Sequence, residues 1–184
     1  LNNKMKVKET LKIIVDKHPQ YKELNKRLIE DVKRIGYSLS YQTNVNARMT
    51  DWFSKSDSID VVNNWVIGLI HEENKWINKP GNTYAYSKSR YTLISKESWF
   101  AGYNKGDYTR SHNHIPSHFS YVYFVKCPRG SSPLVFTDSG KRIRAEEGKV
   151  VIFPAIMNHH VPKSRCEDRI VLAGNFEIKS IGFW

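Results

Sequence analysis

Apolar residues follow two different spacings along the chain, and the spacing changes near residue 83. In residues 8–36, KETLKIIVDKHPQYKELNKRLIEDVKRIG, they recur every three or four positions, which is typical of helices with one buried side. The proline after His18 predicts a break into two helices, because a residue before proline disfavours helical geometry. Gly36 is the predicted end of the second helix. A further helix is predicted from about Ser58 to Asn78, with a buried side formed by Val61, Val62, Trp65, Ile67, Leu69 and Ile70.

From Thr83 onward, short runs of β-branched and aromatic residues separated by Gly, Pro, Asn or Lys predict seven or eight strands. The runs are TYAYS, YTLIS, ESWFAGYN, HFSYVYFVK, PLVFTD, KVVIFPA and DRIVLAGNFEI. Strands of this number and spacing favour a sandwich or a jelly roll. We therefore expect one mainly β domain over residues 1–184, in which a helical N-terminal part, 1–82, packs on a β-fold at 83–184.

Composition agrees with a folded domain in a reducing compartment. The 184 residues are 40% hydrophobic and 12% aromatic, and no apolar run approaches the roughly 20 residues that a membrane span needs. The first 12 residues lack the apolar stretch of a secretory signal. Two cysteines are too few for a disulfide framework. We expect a cytoplasmic protein without membrane contact.

The net charge of +11 allows contact with nucleic acid but does not indicate it. Residues 1–34 hold ten Lys and Arg against five Asp and Glu, and KRIR at 141–144 adds a local cluster. No nucleic-acid-binding motif accompanies this charge, so we favour the interpretation as a Lys-rich solvated surface.

Histidines are concentrated at two places in the strand-rich part. SHNHIPSHFSYVYF, residues 111–124, holds His112, His114 and His118. Positions i and i+2 of a strand face the same side, so the first two imidazoles are expected to reach one metal ion. A third comes from FPAIMNHHVPKS, which offers His159 or His160. Adjacent strand residues point in opposite directions, so only one of these two is expected to ligate.

Arg169 opens the last apolar strand, with Val171 and Ala173 on its own face. An arginine on a small apolar face needs an anion, because a buried unpaired charge is costly. A planar guanidinium suits a carboxylate, which it holds through two parallel hydrogen bonds. The alternative is a structural ion pair with Asp168 or Glu167.

The segments YNKGDYTRSHNHIPSHFSYVYFV, PLVFTD, EEGKVVIFPAIMNHHV and DRIVLAGNF resemble the Fe(II)/2-oxoglutarate-dependent dioxygenases, over roughly residues 95–178. They are similar to the bacterial and phage branch whose first metal motif begins H-x-H. The resemblance implies a double-stranded β-helix, or cupin-like jelly roll. It also implies roles for six residues, with iron bound by His112, His114 and His159 and 2-oxoglutarate contacted by Arg169, Tyr103 and Ser120.

Two positions depart from the family pattern. His114 stands where most of the superfamily has Asp, and Tyr121 replaces a usual Gly. If His114 turns away from the metal, Asp107 is the alternative carboxylate ligand. His118 is expected in a loop outside the metal set. Motif position favours His159 over His160 as the third ligand.

The resemblance implies a hydroxylase that uses dioxygen and couples decarboxylation of 2-oxoglutarate to succinate with oxidation of a prime substrate. That substrate is a protein, a peptide or a small molecule, and the host is a bacterium or a phage-infected bacterium. Two other functions stay open at this point. One is a three-histidine cupin-like metalloenzyme without 2-oxoglutarate, and the other is a non-catalytic jelly-roll binding protein of a phage.

Overall fold

Two antiparallel sheets and two helices make up residues 11–73 and 91–180, which the computed structural model describes. A six-stranded sheet has the order β1-β9-β6-β11-β4-β3, and a five-stranded sheet has the order β2-β5-β10-β7-β8. The helices are α1, Tyr21–Ile35, and α2, Asp57–Glu73. The strands are β1 Ile14–Lys17, β2 Val45–Asn46, β3 Arg48–Met49, β4 Tyr91–Tyr103, β5 Tyr108–His112, β6 Phe119–Lys126, β7 Leu134–Phe136, β8 Arg142–Ile143, β9 Lys149–Pro154, β10 His159–Val161 and β11 Arg169–Ser180.

The two sheets enclose one apolar cluster, and the helices cover a second cluster on the outer face of the six-stranded sheet. Strand β6 shows the division, because Val122 and Phe124 belong to the inner cluster while Tyr121 and Tyr123 face the helices. This layering confirms the predicted mainly β jelly roll with flanking helices. Among the described residues, neither helix is long and apolar enough to cross a lipid bilayer.

Each helix is attached to β6 by a buried asparagine. Asn25 of α1 donates to the carbonyl of Val125 at 2.6 Å and accepts from the Tyr123 hydroxyl at 2.7 Å. Asn63 of α2 accepts from the Tyr121 hydroxyl at 2.8 Å. Buried polar groups are costly unless they are paired, so these bonds fix how the helices sit on the sheet.

The N-terminal helix prediction was half right. Residues 21–35 form α1, and Gly36 ends it with φ +79° and an N–H that donates to Val32 at 3.0 Å. Residues 14–17 form strand β1 instead of a helix, at the edge of the six-stranded sheet and paired with β9. Isoleucine and valine suit a strand, and a helix of one turn gains too few hydrogen bonds to form.

Helix α2 begins as predicted, and its buried side includes the predicted Val62 and Ile70. Ile59 and Val66 are fully buried, whereas Val61, which we expected inside, is 38% exposed. The polar Asn63 takes an inward position because Tyr121 and Ser98 give it hydrogen bonds. The predicted end of this helix, residues 74–78, and the predicted strand TYAYS, 83–87, lie outside the described residues.

Long apolar strands were predicted well and short polar ones were missed. The predicted YTLIS and ESWFAGYN are one continuous strand, β4, paired along its length with β11. Five strands of two to five residues had no apolar signature, namely β2, β3, β5, β8 and β10. Two of these, β5 and β10, carry the candidate site.

Candidate metal site

Three histidines from two segments that are far apart in sequence meet between the sheets. His112 ends β5 and His159 begins β10, and the two are direct partners in the ladder between these strands. The ligand atoms of His112, His114 and His159 all lie within 4.8 Å of one another. Nitrogens bound to one ion at about 2.1 Å are separated by roughly 3–4 Å, so small ring rotations suffice for a shared ion.

His114 reaches the cluster by a different route from the predicted one. Strand β5 stops at His112, so the two residues are not successive same-side positions of a strand. The chain folds back instead, and the His114 N–H donates to the Ala155 carbonyl at 2.8 Å. This places the Nε2 atoms of His114 and His159 3.3 Å apart.

Backbone carbonyls orient two of the three rings. The Nδ1 atom of His112 lies 2.8 Å from the Arg110 carbonyl, and that of His159 lies 3.0 Å from the Met157 carbonyl. A carbonyl only accepts, so each Nδ1 carries the proton and each Nε2 presents a lone pair to the cavity. Fixing a ligand tautomer in this way is usual around protein-bound metals.

Burial keeps the three imidazoles neutral. It lowers the pKa of His114 to about 3, with a further contribution from the charges of His159 and His112. Burial and the charge of His112 lower the pKa of His159 to about 4, and burial lowers the pKa of His112. Neutral imidazole is the form that binds metal, so no proton has to leave at pH 7.

Apolar and aromatic side chains surround the cluster. The Trp99 ring lies 5.8 Å from that of His114, and the Phe153 ring lies 4.7 Å from that of His159. Trp99, which the sequence does not single out, lines the same cavity as the histidines. The apolar sequence of β4 indicates that Trp99 is buried, but it does not indicate which side chain Trp99 contacts.

The same cavity contains Arg169, which is 1% exposed. Its guanidinium carbon lies 4.5 Å from the centre of the Tyr103 ring and 5.5 Å from that of Phe124. All three of its side-chain nitrogens are buried without a hydrogen-bond partner in the structure. Arg169 is a direct strand partner of Tyr103, and Trp99 beside the histidines lies four residues along β4, about 13 Å away.

The ion-pair alternative for Arg169 is wrong. The Asp168 carboxylate forms salt bridges with Lys126 and with Arg48. The Glu167 carboxylate accepts from the Lys105 backbone N–H at 3.3 Å. Neither acid reaches the guanidinium, which therefore points into the cavity with its charge unpaired.

Of the two further cosubstrate residues predicted, only Tyr103 lines the cavity. Its hydroxyl is 2.7 Å from that of Thr109, a cavity residue that the sequence did not single out. The Ser120 hydroxyl donates to Asn175 at 2.8 Å, and Ser120 is not among the residues that line the cavity. Asn175 follows Arg169 by six residues on β11, which places Ser120 about 20 Å from the level of that arginine.

The other histidines and Asp107 stand apart from the cluster. Nδ1 of His118 accepts from the Ile178 N–H at 3.3 Å, and Nδ1 of His160 lies 3.0 Å from the Thr137 hydroxyl. The Asp107 carboxylate accepts from the Asn104 N–H at 2.8 Å. The metal group found among the described residues contains only His112, His114 and His159.

Comparison with solved structures identifies the fold. A viral collagen prolyl hydroxylase from Paramecium Bursaria Chlorella virus-1, in complex with 2-oxoglutarate, has a TM-score of 0.65 at 15% identity and covers 91% of this chain and 96% of its own. A Pseudomonas putida prolyl-4-hydroxylase has a TM-score of 0.66 at 16% identity, covering 91% and 93%. A Trichoplax adhaerens prolyl hydroxylase bound to a peptide fragment of the hypoxia inducible factor oxygen degradation domain has a TM-score of 0.63 at 12% identity, covering 90% and 83%.

These similarities show that the chain has the jelly-roll fold of 2-oxoglutarate- and iron-dependent oxygenases. The sequence matches no protein-family profile and no curated protein. At such low identity the comparison establishes architecture, while chemistry has to be argued from the residues of the cavity.

Proposed function

We propose that the protein is an Fe(II)- and 2-oxoglutarate-dependent dioxygenase that hydroxylates its substrate. The observation that carries the proposal is the content of one cavity, in which three neutral imidazoles converge and an unpaired buried guanidinium lies deeper between the same sheets. The fold shared with prolyl hydroxylases supports it.

The histidine cluster fits a ferrous ion. His112, His114 and His159 would hold it through Nε2 atoms, and imidazole is a good ligand for divalent iron. When bound, iron and 2-oxoglutarate supply the oxidising chemistry, in which the keto acid and dioxygen become succinate and carbon dioxide while a substrate C–H becomes C–OH. Without the usual carboxylate ligand, the protein contributes no negative charge to this set.

Arg169 fits the far carboxylate of 2-oxoglutarate. Its orphaned nitrogens offer a planar donor fork, which a carboxylate satisfies through two parallel hydrogen bonds. The Tyr103 ring attracts the guanidinium, whose carbon lies 4.5 Å from the ring centre, and the Tyr103 hydroxyl is held by that of Thr109. The pairing would turn a costly lone charge into a buried ion pair, and this favours an anion over a neutral ligand.

The prime substrate that we propose is a peptide or protein segment. A structural neighbour from Trichoplax adhaerens is in complex with a peptide fragment. The structural similarity covers 90% of this chain and 83% of that neighbour. We also infer that residues 1–184 work as one domain, since α1 and α2 share an apolar cluster with the sheet that carries Arg169.

The test is an anaerobic titration of the metal-free protein with Fe(II), followed by 2-oxoglutarate. We expect one iron per chain, and then one keto acid whose binding depends on prior iron loading. Admission of oxygen should release succinate in slow uncoupled turnover. Arg169→Gln should keep iron binding and weaken 2-oxoglutarate binding by at least about tenfold, because a charge-assisted pair is lost.

The outcome separates the proposal from its two rivals. Iron binding without any effect of 2-oxoglutarate would indicate a three-histidine metalloenzyme of another class. Absence of iron binding would indicate a jelly-roll binding protein. In either case the present proposal is wrong.

A further inference from the structure

A second, open groove lies on the outer face of the five-stranded sheet, and it does not belong to the metal cavity. Its volume is about 400 Å³, and it runs over strands β5 and β10. Its lining includes two exposed cations, two planar rings and two hydroxyl groups, contributed by Arg110, Lys163, Tyr108, His160, Ser111 and Thr137. No acidic side chain lines it within the described part of the chain.

The polar groups of this groove are already ordered by one another. The Ser111 hydroxyl lies 2.7 Å from that of Thr137, which in turn lies 3.0 Å from Nδ1 of His160. These hydrogen bonds link β5, β10 and the end of β7, which are neighbours in the five-stranded sheet. The groove is therefore a fixed surface on neighbouring strands rather than a meeting of loose side chains.

Among the described residues, the two cations of the groove form no salt bridge, and neither do several others, including Lys22 and Arg27 of α1. Eight lysines and arginines outside the groove form salt bridges, including Lys17 with Glu146 and Lys96 with Glu177. Within residues 11–73 and 91–180, Arg110 and Lys163 have no carboxylate within 4.0 Å. Arg142 belongs to the same row of the sheet, since it pairs with Val135, the partner of His160, and it is also unpaired.

Two acids adjoin groove residues along the chain, and both are engaged elsewhere. Asp107 precedes Tyr108 and is buried, and its carboxylate accepts from the Asn104 N–H at 2.8 Å. Asp138 follows Thr137, and its carboxylate accepts from the Asn158 side chain at 3.4 Å. Asn158 in turn accepts from Asn113, beside the metal ligands, at 3.2 Å. Asp138 is thus engaged by Asn158, and the two unpaired cations leave the groove with positive charge, which attracts anions.

We propose that this groove binds single-stranded nucleic acid. A single strand offers a row of phosphates to the cations and flat bases to the rings of Tyr108 and His160. A duplex hides the faces of its bases, and an acidic polypeptide has carboxylates but no obligatory ring to stack. The inference goes beyond the proposed oxygenase and does not depend on it. Thr109 and Val161 line both the groove and the metal cavity, but the cations, rings and hydroxyl groups named above line only the groove.

The experiment measures fluorescence anisotropy of a labelled oligothymidylate of about 12 nucleotides, a length within the usual single-strand site sizes. The full-length protein is used free of metal and 2-oxoglutarate, so the result is independent of oxygenase chemistry. We expect saturable binding that weakens steeply from about 50 mM to about 200 mM salt. Arg110→Glu with Lys163→Glu should lower the affinity by at least about tenfold at about 100 mM salt.

The matched control reverses one lysine and one arginine on the opposite side of the molecule. Lys22→Glu with Arg27→Glu, on the exposed face of α1, makes the same change in net charge and should keep the affinity within about twofold. Tyr108→Ala should cost about tenfold through lost stacking, and Tyr108→Phe should restore it. Melting temperatures of all variants verify that they are folded.

Three results would overturn the inference. One is the absence of saturable binding to the wild-type protein. The second is an equal loss in both double variants, which would mean diffuse attraction by the net charge of +11. The third is displacement of the oligonucleotide by polyglutamate at equal charge concentration, which would mark the groove as a surface for acidic polypeptides.

Discussion

The guanidinium carbon of Arg169 lies 4.5 Å from the centre of the Tyr103 ring, and the two residues are direct partners across strands β11 and β4. The ring attracts the cation but cannot replace hydrogen bonds, so three buried nitrogens stay unsatisfied. Such an arrangement lowers the stability of the ligand-free protein. An anion that pairs with the guanidinium restores this stability, so the stability of the protein depends on ligand binding.

Replacing Arg169 should therefore remove 2-oxoglutarate binding without lowering the stability of the ligand-free protein. We expect Arg169→Met, which fills similar space without charge, to abolish the thermal stabilisation that 2-oxoglutarate gives to the metal-loaded wild type. The ligand-free melting temperature should stay the same or rise, because an unpaired buried charge is removed. Differential scanning calorimetry with and without 2-oxoglutarate measures both effects.

The control for this prediction is Arg165→Met, four residues earlier and exposed. It should retain the full shift of melting temperature with 2-oxoglutarate. A ligand-free Arg169→Met protein that melts several degrees below wild type would mean that the guanidinium stabilises the fold, and the coupling argued above would be wrong.

The adjacent His159 and His160 provide a second, internally matched test. Strand β10 directs His159 into the cavity and His160 outward, where it lies 3.0 Å from the Thr137 hydroxyl. His159→Asn should weaken Fe(II) binding by at least about 100-fold, more than the loss of an outer-shell partner. His160→Asn should keep the iron affinity within about twofold. Equal losses in the two variants, measured by anaerobic calorimetry, would refute the assignment of the third ligand.

Sequence reasoning succeeded where one physical pattern decided the outcome. The strict alternation around Arg169 placed Val171 and Ala173 on its face, and both line its cavity. Long strands rich in β-branched and aromatic residues have a period that no other element shares. The expectation that a buried arginine needs an anion followed from the cost of burying charge, and the structure leaves that arginine unpaired.

Sequence reasoning failed where the position of a residue depends on contacts with residues distant in the sequence. Strand β5, which carries His112, has five largely polar residues and is a strand only because β2 and β10 lie beside it. His114 meets His159 through a backbone bond to Ala155, which no local spacing reveals. Motif matching placed Ser120 near the cosubstrate, but pairing with Asn175 fixes it far along the sheet.

The departure at Tyr121 is accommodated by a glycine on the neighbouring strand. Gly174 is its direct partner, and a Cβ added there would lie 2.6 Å from the Tyr121 ring and 2.7 Å from the Glu97 carbonyl. We expect Gly174→Ala to lower the free energy of unfolding by about 1–3 kcal/mol through overpacking. Chemical denaturation at constant pH measures the change.

Gly68→Ala is the matched control for that prediction. Gly68 lies in α2, with nothing within 4 Å of an added Cβ. Alanine there should raise the free energy of unfolding by about 0.5–1 kcal/mol, because glycine is a poor helix former. A Gly174→Ala protein as stable as the wild type would show that the Tyr121 ring moves aside without cost.

The histidine cluster should make the metal-free protein sensitive to mild acid. Burial lowers the pKa of His114 to about 3 and of His159 to about 4, whereas an unfolded histidine titrates near 6.5. Below about pH 6.5 the unfolded chain therefore binds more protons than the native one, and stability falls as the pH falls. Above that pH both states hold neutral imidazoles, so these residues contribute no slope.

Urea denaturation in the presence of a chelator, between about pH 8 and pH 5, tests this sign before the carboxylates titrate. The free energy of unfolding of the wild type should be level above about pH 6.5 and decline below it. In His114→Gln with His159→Gln the decline should be shallower, because two groups that resist protonation in the native state are gone. Only slopes are compared, since the substitutions also change packing. Parallel curves for the two proteins down to about pH 5 would mean that the imidazoles accept protons in the native state, and a cluster held neutral by burial would be excluded.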